Sequence, residues 1–252
     1  MNVTPIRTSV VRAGSIDLFF FLDEFVKNLK EGSILAITSK IVSLCEGRVR
    51  DTKDVDKEQL AEEEAEFFLP ASENKYGFTL SIKHNMIIPS SGIDESNADG
   101  KYVLWPTDPQ KSVNAVRMYL SKRFSIKNVG VIITDSRATP LRWGTTGAAL
   151  SHSGFAALND YIGKPDIFGR KLEVTKANVR DALAAAAVIV MGEGAEQTPL
   201  ALISDVPFVT FQARDPSMEE LDSLKISIDE DLFAAILKRA PWKKGGKMHE
   251  NS

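Results

Sequence analysis

Asn128–Ser136 reads NVGVIITDS. A short apolar run of valine and isoleucine closed by three polar residues has the pattern of a strand buried within a sheet. Such a strand, ending in Thr134, Asp135 and Ser136, delivers its last side chains to the crevice where ligands bind in sheets flanked by helices. Working outward, Gln110–Phe124 (QKSVNAVRMYLSKRF) carries apolar residues at helical intervals immediately before it. Further upstream, Asp17–Leu29 (DLFFFLDEFVKNL) predicts a helix stopped by Gly32, and Ser33–Ser39 (SILAITS) a second short strand. Lys40–Val49 continues it as a turn or a second element. Downstream, Asn178–Met191 (NVRDALAAAAVIVM) is a small-residue helix suited to close packing, followed at once by the glycine-bounded turn GEGAEQTP.

Asp54–Phe68 is an acidic helix with one solvated face, ended by Pro70, and Phe78–Ile88 alternates weakly, as a pair of strands would. Pro89–Lys101 (PSSGIDESNADGK) has the composition of a long loop, the kind of segment that often carries function. Asp229–Lys238 is helix-like, and the basic, glycine-containing tail beyond it is expected to be disordered.

The chain has 252 residues, 43% hydrophobic and 26% charged, enough to bury a sizeable core in one large domain or two intimate ones. With 31 Lys+Arg against 34 Asp+Glu, the formal charge is -3, so no global field favours nucleic acid or an anionic membrane. No stretch reaches the roughly 18 to 20 apolar residues that span a bilayer. The opening MNVTPIRTSVVRAG lacks the apolar run of a secretory signal, so a cytoplasmic location is expected. The single cysteine, Cys45, excludes an internal disulfide framework and reads as a buried apolar filler.

Four carboxylates fall at element junctions: Asp94, Asp108, Asp135 and Glu193. Magnesium and manganese take oxygen donors, and two or three protein carboxylates suffice when substrate phosphates complete the shell. Asp108, before Pro109, is equally a helix N-cap. Ser136 offers a hydroxyl to a metal or to a turn. Lys40, Arg137 and Arg142 lie beside predicted turns, where they can meet phosphates or simply solvent. Neither GxxxxGK[ST] nor a strand-to-helix GxGxxG is present, and Gly192–Thr198 can wrap phosphates with backbone N–H groups or serve as a helix stop. His84, His152 and His249 share no metal-ligand spacing, and no GxSxG elbow appears.

Taken together, ITSKIVS and EGRV (within Ile37–Val49), GIDESN (Gly92–Asn97), LWPTDP (Leu104–Pro109) and VGVIITDS (Val129–Ser136) resemble the coenzyme F420-0:gamma-glutamyl ligase family. LRWGTTGAALSHSGF and the stretch from Asp160 to Pro199 extend the resemblance in the same order, over most of Val3 to about Phe208. The resemblance implies an α+β fold of mixed sheets with helices, specific to these ligases and assembled as an intertwined homodimer. It implies a ligase-like domain over residues 1–210, to which the sequence pattern adds a helical extension over 211–240 and a basic flexible tail over 241–252. It further implies that GTP phosphorylates a carboxylate acceptor, such as the coenzyme precursor, and that L-glutamate attacks the acyl phosphate, with one or two Mn or Mg ions per site.

By the same resemblance, Asp108 and Asp135 are the catalytic metal-binding aspartates, with Ser136 and Glu193 completing the metal ligands. Glu193 stands where the family commonly has glutamine. Thr8, Ser9, Val10 and Val11, the pair Ser39 and Lys40, and the turn Met191, Gly192, Glu193, Gly194, Ala195, Glu196, Gln197 and Thr198 are the nucleotide contacts it implies. Two departures stand out. The family's SKAEGR is Ser43-Leu44-Cys45-Glu46-Gly47-Arg48 here, replacing a nucleotide-contacting lysine with Leu44, and GRPWRRG is replaced by the segment from Arg137 to Gly144. If the family pose is kept, Leu44→Lys is expected to tighten GTP binding. A relative that binds nucleotide or metabolite without ligating, or a metal-dependent phosphate-ester hydrolase, are the competing functions.

Overall fold

A computed structural model describes residues 1–246. At its centre β2 (Ser33–Thr38) and β8 (Val129–Ala138) run parallel, in register from Ser33 opposite Val129 to Thr38 opposite Thr134. Antiparallel strands extend the sheet on both sides: β12 (Leu200–Ser204) and β1 (Asn2–Ile6) beyond β2, and β9 (Thr145–Ser153) beyond β8. The continuous apolar runs of β2 and β8 follow from burial on both faces. Leu35, Ile37, Val131 and Ile133 face α1 (Leu18–Phe25), α2 (Ser39–Cys45) and α4 (Pro109–Phe124). Ile34, Ala36 and Ile132 face α5 (Val179–Met191). Each of these large aliphatics contributes about 1.5–3 kcal/mol by leaving water.

The small residues of α5 let it lie close on the sheet. A Cβ at Gly147 of β9 would crowd the Ala184 carbonyl and the Val188 side chain. That contact also explains why β9 escaped the sequence reading: TTGAALSHS is small because a helix presses on it, so it lacks the β-branched alternation of a strand. The segment after Asp135 is therefore a hairpin. Asp135 lies inside the ten-residue β8, three residues short of its end, and not at its terminus as the sequence suggested.

A smaller lobe stands beside the sheet. The strands β4 (Phe67–Leu69), β5 (Leu80–Lys83) and β6 (Met86–Pro89) form an antiparallel ladder covered by α3 (Lys57–Glu64), with Leu60, Ala61, Ile93 and Leu104 as its core. The pair β3 (Val49–Asp51) and β7 (Lys101–Val103) joins the two parts. The predicted helix over 54–68 is shorter: Asp56 caps α3, and the chain turns extended at Ala65, giving Phe67–Leu69 to the ladder. Trp105, 1% exposed, packs on Met86, Ile88 and Ala148, so one indole ties the lobe to β9.

A second hairpin, β10 (Leu158–Asp160) with β11 (Lys176–Asn178), precedes α5. After β12, α6 (Met218–Asp222) and α7 (Ala234–Leu237) are short, and the helix expected over 229–238 is confined to the latter. The expected disordered tail is corrected in its first part: β13 (Lys243–Lys244) pairs with Phe67 and Phe68, and the Gly245 and Gly246 N–H groups donate to the Glu66 and Glu62 carbonyls. Residues 247–252, including His249, lie outside the described residues.

Candidate functional site

Asp135 is held from two directions. Its Oδ1 accepts the Ser136 N–H at 2.8 Å, and its Oδ2 accepts the Trp105 indole N–H. Burial is the largest influence on this carboxyl and pushes its pKa up to about 6, against the two hydrogen bonds; the charge of Asp94 acts with burial and that of Lys40 against it. Trp105 is fixed in turn by a backbone that only glycine permits. Gly92 has φ +74°, and a Cβ there would overlap the indole. Ser136 turns the other way along the strand, and its hydroxyl donates to Glu193 Oε1 at 2.6 Å.

Glu193 opens the exposed turn that follows α5. Gly192, at φ +79°, ends that helix, and its N–H donates to the Val188 carbonyl. Within the turn the Glu196 carboxylate folds back to accept the Gly194 N–H at 2.8 Å, and the Thr198 hydroxyl donates to the Met191 carbonyl at 2.5 Å. Met191 is buried in the α5 core, whereas Gly192–Gln197 are exposed. Buried Thr8 donates its N–H to the Gln197 carbonyl at 2.9 Å, which seats the N-terminal segment on the turn. Ser9 and Val10 are exposed, and Val11 packs against the core clusters beside α2.

Lys40 reaches the same region from α2. Its ammonium lies 2.7 Å from Asp94 Oδ2 and also donates to the Ser96 carbonyl at 2.8 Å and the Ser96 hydroxyl at 3.1 Å. Burial pushes the Asp94 carboxyl up, but Lys40 and the Ser96 donors outweigh it and hold the group below the ordinary carboxylate value. One residue further on, the Asn97 amide donates to the Gly194 carbonyl at 3.0 Å, joining the GIDESN loop to the turn. Ser39 is buried at the start of α2. Leu44, one turn after Lys40, is buried with Val11, Ala13, Val49, Ala98 and Val103, so the place of the family lysine is apolar core. That environment overturns the physical basis for expecting Leu44→Lys to tighten nucleotide binding, since an ammonium there would lose its hydration.

Asp108 stands apart. It is exposed and caps α4, its Oδ1 accepting the Lys111 N–H at 2.9 Å. Its charge reaches His84, whose imidazole stacks on Trp105 with ring centroids 5.8 Å apart. Arg137 pairs loosely with Asp181 at 3.7 Å, and Arg142 is exposed at the tip of the β8–β9 hairpin. His152 is a buried strand residue, and burial lowers its pKa to about 4. Cys45 is half-buried rather than buried, and its thiol is pushed up to about 12, chiefly by burial, which leaves it inert.

The structure thus brings together Thr8, Lys40, Asp135, Ser136 and the Met191–Thr198 turn, and leaves Asp108 on the neighbouring rim. Among the described residues, no three His, Cys, Asp or Glu side chains are clustered as a ready-made metal cage. The donor set of Asp135, Ser136 and Glu193 is nevertheless all oxygen, which fits a magnesium-type ion that keeps waters and takes substrate phosphates as further ligands. Sequence reasoning missed Trp105 as the donor to Asp135, and Ser96 and Asn97 as the links to Lys40 and the turn. The signal was present in the LWPTDP and GIDESN strings, but the indole's partner lies 30 residues away in sequence.

Residues 5–205 match the model of the F420-0:gamma-glutamyl ligase family. The chain belongs to that family. Relatives of this ligase family include the coenzyme F420:L-glutamate ligase of Archaeoglobus fulgidus, 33% identical over 225 residues, covering 83% of this chain and 87% of the relative. The protein of the same name from Methanocaldococcus jannaschii is 33% identical over 207 residues, covering 74% and 82%. That from Methanococcus maripaludis strain C7 is 40% identical over 151 residues, covering 60% and 58%. The family match ends at residue 205, so α6, α7 and β13 lie beyond it.

Proposed function

We propose that the protein is a GTP- and divalent-metal-dependent ligase that joins L-glutamate, through a gamma-glutamyl-type amide, to coenzyme F420-0 or a related carboxylate acceptor. The observation that carries this reading is the convergence of the Asp135–Ser136 stretch inside a central strand on the Glu193–Thr198 turn through the 2.6 Å Ser136–Glu193 bond. Family membership and the names of the relatives supply the reaction class.

In this reading the acceptor carboxylate attacks the γ-phosphorus of GTP, the bond to the bridging oxygen breaks, and GDP leaves. The glutamate amine then attacks the acyl phosphate carbonyl, loses a proton and expels inorganic phosphate. Divalent metal, as one ion or two, would supply neutralisation of the triphosphate's charge there. Asp135, Ser136 and Glu193 would hold it, with Asp108 recruited from the rim. Trp105 and the Ser136 N–H keep the Asp135 carboxylate oriented. The Gly192–Thr198 backbone would face the phosphates, and Thr8 braces that turn.

A homodimer belongs to the same proposal. Leu141 and Trp143 at the tip of the β8–β9 hairpin, and Ile167, Phe168 and Val174 between β10 and β11, are each at least 85% exposed. Two projecting arms with this much apolar surface have the character of subunit interfaces. A location in the cytoplasm fits such an enzyme, and among the described residues no helix is long and apolar enough to cross a membrane.

The test is GDP release from GTP and manganese with the acceptor, with and without L-glutamate. Amide formation and phosphate release that need both acceptor and glutamate support the ligase. Phosphate release from simple phosphate esters, indifferent to the amine, supports a hydrolase instead. Buried Leu44 and fully engaged Lys40 favour the second alternative, a relative that binds without ligating, which nucleotide binding without turnover would support.

A further inference from the structure

The sequence SKIVSLC gives α2 a single charged side chain, Lys40, whose ammonium makes two hydrogen bonds and one close ion pair with a single loop. Asp94 Oδ2 at 2.7 Å, the Ser96 carbonyl at 2.8 Å and the Ser96 hydroxyl at 3.1 Å are its acceptors. Asp94 is itself braced for this task. Its Oδ1 accepts the Ser96 N–H at 2.7 Å, and its Oδ2 accepts the Ser96 hydroxyl at 3.0 Å, so the carboxylate is pre-aimed before the lysine arrives. The loop bearing it is tied down on both sides, by Asn97 to Gly194 and by Ala98 against Leu44. Because the family lysine is Leu44 here, no second ammonium on α2 can take over from Lys40.

We propose that Asp94 is a positioning residue that parks the Lys40 ammonium beside the Gly194 turn, and that the phosphates of an incoming nucleotide take Lys40 from it. This rests on the nucleotide reading of the site. A phosphate oxygen offers the ammonium the same kind of acceptor as Asp94, with more charge behind it. The parked pair keeps the ammonium aimed, so that binding exchanges one anion for another instead of ordering a free lysine. Asp94 therefore makes metal-free polyphosphate binding weaker than Lys40 alone would allow. Removing its charge, while keeping the oxygen that accepts the Ser96 N–H, releases Lys40 to the ligand.

Two measurements on the full chain test this with Asp94→Asn. The first is the rate at which Lys40 is acetylated by limiting acetic anhydride, read by peptide mass spectrometry. It is expected to rise about fivefold in the variant, with other lysines unchanged. An unchanged Lys40 rate means that Asp94 does not hold the ammonium and overturns the proposal, whatever the site binds. The second is calorimetric titration with inorganic tripolyphosphate in chelator. Asp94→Asn is expected to tighten binding about fivefold, and Asp94→Asn combined with Lys40→Gln is expected to lose the gain. Weaker or equal binding in the single variant, or a gain that survives loss of Lys40, overturns it. Faster acetylation with no tripolyphosphate binding in either protein leaves the parked pair but removes its phosphate role, and points to failure of the nucleotide reading itself. A loop that is merely structural would give a lower melting temperature and no gain in affinity.

Discussion

Asp135 and Asp108 are the same chemical group and, by resemblance, share one task, yet they sit in opposite surroundings. Asp135 lies in the central sheet, gripped by Trp105 and the Ser136 N–H, with burial raising its pKa to about 6. Asp108 is exposed, and its one hydrogen bond serves the start of α4. A carboxylate fixed by tertiary structure costs stability when it ionises, whereas one fixed by local structure contributes stability as a cap. The site is thus asymmetric: its deep half is preformed, and its rim is assembled from a residue already employed.

The strongest way to break the deep half is through its support. Gly92→Ala combines backbone strain at φ +74° with overlap on Trp105, and about 4 kcal/mol of lost stability is expected in chemical denaturation. Leu44→Lys comes next, at about 3 kcal/mol, because it removes a buried leucine and places an ammonium among Val11, Ala98 and Val103. An unchanged denaturation midpoint in that variant would show that the pocket can open to admit a cation.

Asp135→Asn sharpens the comparison directly. Calorimetry should show manganese–nucleotide affinity reduced about 100-fold, equivalent to about 2.7 kcal/mol, while the variant still folds at pH 8, relief of the buried charge offsetting the loss of one of the two acceptors that Trp105 and the Ser136 N–H use. The sign follows from the raised pKa. The folded state holds the Asp135 proton more tightly than the unfolded state does, so its stabilising contribution is complete below the ordinary value of 3.8 and disappears as pH rises through about 6. Relative to Asp135→Asn, the wild type should lose about 2–3 kcal/mol between pH 4 and pH 7. Its metal affinity should fall as pH drops below about 6, because the protonated acid is a poor ligand. The smallest effect belongs to the rim. Asp108→Ala should cost about 1 kcal/mol and Asp108→Asn almost nothing, since asparagine caps as well as aspartate. Weakened metal binding in Asp108→Asn at unchanged stability would separate its two roles.

What could be read from the sequence follows the same division. The strands β2 and β8 as separate elements, the helix α4 and its Asp108 cap, and the helix α5 were legible because periodicity and capping are local, whereas the parallel pairing of the two strands is a fact of the fold. The strand β9 was hidden because its residues answer to α5 and not to strand propensity. The strand Phe67–Leu69 was hidden because an acidic helical pattern ran into it. Asp135, Ser136 and the Gly192–Thr198 turn were named as candidates from their places beside a buried strand and a helix end, and again by resemblance. Trp105 was not, since its role is set by a partner on another strand and by the glycine beneath it. Asp94 was noticed as a junction carboxylate, but that it faces Lys40 is a fact of the fold alone.

The most direct test of the proposed metal–nucleotide site is calorimetric titration of the wild-type protein with GTP, ATP and GDP, each with and without manganese. Metal-dependent binding that favours the guanine triphosphate is expected, with Asp135→Asn abolishing the dependence on metal. Absence of nucleotide binding, or binding indifferent both to metal and to Asp135, would contradict it.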